Sequence, residues 1–246
     1  MAVRVAAAVI DALTSPVTLP SGASPAEELA AFRDVVAGCT KCALTQTRTQ
    51  VVFGSGSPEA DLMFVGEAPG FHEDKQGVPF VGAAGQLLGK LLGEIGMSRE
   101  DVYIANTLKC RPPGNRDPQL EEIEACEPHL FRQIALIRPK VICTLGNFAT
   151  KLLSGRPDGI TKVHGREQEV TLGGTRALLY PIFHPAAALY TPRMLDTLRQ
   201  DFSRLPEILG RETAPPEPPS AVAAAPAAAP EPAPIPEPAA VQLGLF

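Results

Sequence analysis

The sequence predicts an α/β fold built on a mainly parallel sheet, and three observations carry that prediction. Four short apolar runs have the length of strands: LMFV from Leu62, VYIA from Val102, VICTL from Val141 and LLYPIF from Leu178. Runs this uniformly apolar suit strands covered on both faces, as parallel strands with crossover helices are. Segments with helical spacing lie between them, clearest in AGQLLGKLLGEIGM and QLEEIEACEPHLFRQIALI. Finally, each run ends on turn or polar residues, namely GEAPG, Asn106, GN at 146 and HPA at 184.

Taken in order, the opening MAVRVAAAVIDALTSP has one Arg and a short apolar stretch that Asp11 interrupts. No secretory signal is expected there, and residues 1–23 read as a flexible N-terminal extension. A helix begins at SPAEELAAFRDVVAG: Ser24 is the N-cap, Pro25 suits the first turn, Glu27 completes a capping box and Gly38 ends it. The four strands and their helices follow. EVTLGGTRALL predicts a hairpin whose two-residue Gly173-Gly174 turn joins alternating runs. One domain, residues 24–211, accounts for all of this. Residues 212–241 collapse to Ala, Pro and Glu, with ten prolines and no aromatic. Such a segment cannot bury enough surface to offset its ordering entropy and reads as a disordered linker.

The formal net charge of −5 argues mildly against nucleic acid as a chain average. The average misleads, because Glu212, Glu217, Glu231 and Glu237 lie in the tail. Without these four of the 27 acidic side chains, 23 face 22 basic ones, and local basic loops can dominate. No run reaches membrane-spanning length, so a cytoplasmic protein with no membrane association is expected, acting as a monomer.

In a reducing compartment five cysteines are metal ligands or core residues rather than disulfides. Cys39 and Cys42 form a C-x2-C pair, Cys110 sits in the Pro/Gly loop NTLKCRPPGNRDP, and Cys126, separated from it by fifteen residues, lies in a helical pattern. Four thiolates suffice for a structural zinc or an iron-sulfur cluster, and spacing alone does not choose between them. Cys143, in the strand-like VICTL, reads as core. A metal bound at Cys110 would brace its loop and set Lys109, Arg111 and Arg116 on the surface as phosphate contacts.

The polar groups just past the four runs share one rim, because ligands of open α/β sheets bind beyond the carboxyl ends of the strands. Singly, each has a structural reading as a turn, a cap or a loop hydrogen bond. Their common placement favours a site.

GEAPGFHED, PFVGAAGQLL, NTLKCRPPGNRDP, LG at 145, ITKVHG and FHPAAAL, with the four cysteines, resemble the family 4 uracil-DNA glycosylases. The resemblance runs from about Cys39 to Pro206. It implies a three-layer α/β/α sandwich, a 4Fe-4S cluster on Cys39, Cys42, Cys110 and Cys126, and hydrolysis of the N-glycosidic bond of deoxyuridine in DNA. The cluster in this family looks structural. In that frame Phe80 stacks on the base, while Asn106 donates to uracil O4 and accepts from N3–H, a pattern that cytosine reverses. His184 stabilises charge growing on O2.

Where family 1 enzymes have a water-activating aspartate, this chain has Ala68, which has no acid-base capacity. Water positioning then falls to Glu67, Glu73 or Asp74; Glu73 is preferred, with Glu67 orienting the pocket. Leu189, after the HPA motif, is the candidate wedge into the duplex. A non-turnover protein that traps uracil-DNA covalently is the alternative within the superfamily. It is disfavoured because RPPGNRDPQLEEIEA lacks the reactive His of that group. An electron carrier leaves the rim of Glu67, Phe80, Asn106 and His184 unexplained. The terminal QLGLF resembles peptides that dock into the bacterial DNA sliding clamp, implicating Gln242, Leu243, Leu245 and Phe246.

Overall fold

The computed structural model of the protein describes residues 22–211. The N-terminal extension up to residue 21, the Ala/Pro-rich segment 212–241 and the terminal peptide 242–246 lie outside the described residues. In chain order the elements are α1 (Pro25–Ala37), β1 (Ser55–Gly56), β2 (Leu62–Gly66), α2 (Phe71–Gln76), α3 (Ala83–Glu94), β3 (Tyr103–Asn106) and α4 (Leu120–Ile137). There follow β4 (Val141–Leu145), α5 (Asn147–Ser154), α6 (Ile160–Val163), β5 (Gln168–Leu172), β6 (Thr175–Ile182), α7 (Pro185–Ala188), α8 (Pro192–Ser203) and α9 (Leu205–Gly210).

Local signals account for much of this. Ser24 caps α1 in a full capping box with Glu27, Pro25 opens the helix and Gly38 closes it. The hairpin turn at Gly173 and Gly174 has φ of 55° and 79°, the left-handed values that a two-residue turn requires. Its second strand and the LLYPIF run are one eight-residue strand, β6, rather than two elements. β1, a two-residue strand, is too short to leave a sequence pattern.

The six strands form one sheet in the order β1-β3-β2-β4-β6-β5. β2 pairs in parallel with β3 and β4, and β4 with β6, while β1 and β5 pair antiparallel at the two edges. From β2 the chain crosses to β3 on one side; from β4 it runs to β6 on the other. The reversal between β2 and β4 opens a crevice at their carboxyl ends.

Alternation along the strands divides the core into two layers. Met63, Val65, Ala105, Ile142 and Leu179 pack with Phe32 and Val36 of α1, Leu130 and Ile134 of α4, and Leu153 of α5. Leu62, Phe64, Ile104, Cys143 and Tyr180 face Leu88 and Leu91 of α3, Leu198 and Phe202 of α8, and Ile208 of α9. The result is the expected helix–sheet–helix sandwich. Cys143 is fully buried in the second layer, as its strand context predicts. No described helix is long and apolar enough to cross a membrane.

Candidate active site

The carboxyl ends of β2, β3 and β6 deliver Glu67, Asn106 and His184 to one cleft of about 490 Å³. Ala68, Gly70, Glu73, Phe80, Asn115 and Arg116 complete its main walls. Asn106 is 1% exposed, yet neither its Oδ1 nor its Nδ2 has a hydrogen-bond partner. Buried amides are almost always paired, so an amide left unpaired in a cleft wall has both functions available to a ligand.

Gly66 makes this possible. A Cβ there would come within 2.4 Å of Asn106 Oδ1 and 2.7 Å of Phe80 Cζ. Phe80 is buried with φ of 53°, a left-handed conformation that costs a non-glycine residue roughly 1–3 kcal/mol. Arg99 holds it there, donating from Nη1 to the Phe80 carbonyl at 2.9 Å and from Nη2 to the Pro79 carbonyl at 2.7 Å. The Phe80 ring lies 5.6 Å from that of His184 at an interplanar angle of 28°, offset-stacked.

His184 is the N-cap of α7, and its Nδ1 accepts from the Ala186 N–H at 3.1 Å. In the neutral ring the proton is therefore on Nε2, the nitrogen left to donate. An edge of the ring remains open to the cleft, but the packing around it desolvates the imidazolium and pushes the pKa down to about 4, against a small upward pull from Glu73.

The acidic candidates separate. Glu73 Oε1 accepts from the Val81 and Gly82 N–H groups, both at 2.9 Å, which fixes the carboxylate in the wall beside Gly70 and Gly82. Asp74 is buried and accepts from the Thr49 N–H at 2.9 Å, so it serves the loop and not the cleft. Burial, with a smaller contribution from Asp117, raises the Glu67 pKa.

The basic loop needs a correction. Lys109 is 1% exposed, not at the surface, and its Nζ donates to the Asn106 carbonyl at 2.8 Å and to Gln133 Oε1 at 2.5 Å. Gln133 in turn donates to the Phe53 carbonyl and Tyr103 Oη. Lys109 thus braces the backbone that presents Asn106 and is no phosphate contact. Arg116 lines the cleft but is held by Glu122 at 2.6 Å in a bidentate pair. Arg111 is half-buried, its Nε donating to Asn115 Oδ1 at 2.7 Å. Leu189 is 38% exposed beside the far more exposed Tyr190, at 90%.

Cys39, Cys42, Cys110 and Cys126 line a single cavity whose other walls include Val36, Leu44 and Leu108. Three of the sulfurs have nitrogen neighbours at hydrogen-bond distance: Arg48 Nη1 at 3.3 Å from Cys110, the Lys109 N–H at 3.2 Å from Cys126, and His129 Nε2 at 3.4 Å from Cys39. Burial raises the Cys110 thiol pKa and pushes that of Cys126 up to about 12. Arg48, Arg99 and His129 lie outside the quoted motifs, and Asn115 lies within NTLKCRPPGNRDP without a predicted role. His129 alone left a trace, standing three residues after Cys126 on the same helix face.

A family model described as the uracil DNA glycosylase superfamily matches residues 53–205. The type-4 uracil-DNA glycosylase of Sulfurisphaera tokodaii is 46% identical over 187 residues, covering 74% of this chain and 85% of the relative. That of Saccharolobus solfataricus is 47% identical over 188 residues, covering 74% and 87%, and that of Thermotoga maritima 49% over 152 residues, covering 61% and 78%. Family match, relatives and a strand-end cleft with an unpaired asparagine agree, and the chain belongs to the uracil-DNA glycosylase superfamily, among its type-4 members.

Proposed function

We propose that this protein excises uracil from DNA by hydrolysing the N-glycosidic bond of a flipped-out deoxyuridine, the first step of base excision repair. The buried, unpaired Asn106 amide is the observation that supports this most. Nδ2 donates to uracil O4 and Oδ1 accepts from N3–H; cytosine, with its donor and acceptor exchanged, leaves both groups facing like partners. Phe80 covers the base, and its held left-handed backbone keeps that surface ready before substrate arrives.

As the glycosidic bond breaks, negative charge moves onto the uracil ring, and Nε2–H of neutral His184 donates to O2. Glu73, with one oxygen held by two backbone amides, has the other to orient water and to face the developing sugar cation. Glu67 shapes the pocket, and Ala68 gives the base room without acid-base chemistry. Arg116 of the cleft wall and Arg111, bonded to Asn115, contact the DNA backbone, and Leu189 enters the duplex as a wedge. The protein acts as a monomer in the cytoplasm.

The four cysteines fit a 4Fe-4S cluster, which would supply a structural brace for the loop and α4. Among the described residues no group of three or more His, Cys, Asp or Glu closes around one ion, whereas the sulfurs ring a cavity. The shared cavity suits bound metal, and the resemblance to the iron-sulfur glycosylases is what favours a cluster over one tetrahedral zinc. Nitrogen donors at the sulfurs and the cost of burying bare thiolates favour bound metal as well. Outside the described residues, Gln242, Leu243, Leu245 and Phe246 are proposed to dock on the sliding clamp.

Purified protein should release free uracil from a uracil-containing oligonucleotide. Asn106→Ala and His184→Ala should lose about 10²- to 10³-fold in rate while folding normally by circular dichroism. Parental rates in both folded variants would reject the pocket.

A further inference from the structure

Phe71, the first residue of α2, is 45% exposed. Gly70 before it and Glu73 after it line the cleft wall. Opposite, Arg111 lies with its Cζ 5.2 Å from the centroid of the Phe71 ring while bonding through Nε to Asn115, another cleft residue. Lys75 Nζ is 4.5 Å from the same centroid, and the His72 ring stands edge-on at 5.4 Å. The phenyl ring itself is outside the cleft lining, but it adjoins cleft residues on both sides, Gly70 in sequence and Asn115 through Arg111, and two cations flank it.

Exposed aromatic surface beside cationic side chains is the chemistry of single-stranded nucleic acid platforms. A base stacks on the ring, every base having a π-face, while the cations take the adjoining phosphates. A flipped uridine also leaves its neighbour without a stacking partner on one side. We propose that Phe71, with Lys75 and Arg111, forms a stacking subsite for the base next to the flipped nucleotide in single-stranded DNA. This rests on the uracil-excision reading above. The ring replaces the lost stack, and Lys75 and Arg111 neutralise the phosphates on either side of that base.

The test uses the full chain and single-stranded oligonucleotides with one central deoxyuridine, with an abasic spacer at each flanking position in turn. Phe71→Ala should raise KM at least about 5-fold, the lower end of the range for one base–aromatic stack, with kcat within about twofold. Phe71→Trp should restore the parental KM, which a merely structural role for the phenyl ring would not allow. In the parent, a spacer at one flanking position should raise KM by a similar factor, and Phe71→Ala should be indifferent to that spacer. An unchanged KM in Phe71→Ala, or an equal spacer penalty in parent and variant, overturns the subsite alone. Absence of uracil release by the parent overturns the subsite and the excision reading together.

Discussion

The chemistry at His184 depends on which ring nitrogen holds the proton. The Ala186 N–H occupies Nδ1, so Nε2–H is the donor, and desolvation keeps the ring neutral down to about pH 4. A neutral donor also avoids drawing a carboxylate out of position. The folded pKa lies below the unfolded value of about 6.5. The contribution to stability is therefore complete above about pH 6.5 and is lost as pH falls toward 4, where the unfolded chain has already taken up its proton. Long-range ¹⁵N–¹H spectra at pH 5.5 should show His184 as the neutral Nε2–H tautomer. An imidazolium signal at that pH would contradict the assignment. Lys109 matters at the same scale in another way: its ammonium ties the Asn106 carbonyl to Gln133, so the residue proposed to read the base is anchored through its own backbone.

At the scale of elements, the NTLKCRPPGNRDP segment is tied to its neighbours by backbone hydrogen bonds at Thr107, Leu108 and Lys109, whereas those at Asn115 and Arg116 stay within their own turn. Cys110 lines one cavity with Cys39, just past the C-terminus of α1, and with Cys126 of α4, so a bound cluster would tie the segment to both. Cys110→Ser should therefore lose the brown colour, the bound iron and sulfide and much of the yield of anaerobically purified protein. Cys143→Ser, away from that cavity in the second core layer, should keep the metal. Iron analysis and visible absorption decide this; zinc in place of iron would refute the cluster and leave the fold untouched. The loop before α3 has its own brace in Arg99, whose two donors hold Pro79 and Phe80. Arg99→Ala should weaken uracil release more through KM than through kcat, since the stacking ring loses its set position while Asn106 and His184 remain.

At the scale of the whole molecule, a catalytic unit is followed by a Pro-rich stretch and a short apolar terminus. About 30 residues at ~3.1 Å each, when extended, reach roughly 90 Å. That reach would let an enzyme docked at the clamp by QLGLF, as proposed, search DNA nearby, where uracil is misincorporated. A peptide ending in QLGLF should bind the cognate clamp with micromolar affinity by fluorescence titration, and combined Leu245→Ala and Phe246→Ala changes should abolish it. Absence of saturable binding rejects the docking. Removal of residues 212–246 should leave uracil release unchanged.

The sequence by itself determined the α1 cap, the strand-like runs, the hairpin turn, the cysteine set and the strand-end placement of Asn106 and His184. All of these depend on neighbours within a few residues or on motifs in chain order. Only the tertiary structure decided which polar side chains would be buried and by whom they would be paired. Lys109 looks like a surface cation between Asn106 and Arg111 until Gln133, 24 residues away, closes over it. Glu73 is preferred over Asp74 from the sequence, but only the structure shows why: Thr49 takes Asp74, while the Glu73 carboxylate stays in the cleft wall. Arg99 is invisible until its helix-flanking loop meets Phe80, and nothing in GEAPGFHED tells that Phe71 stays exposed between Lys75 and Arg111. Burial and hydrogen-bond partnership belong to pairs of segments that meet in space, and a one-dimensional pattern does not encode which segments meet.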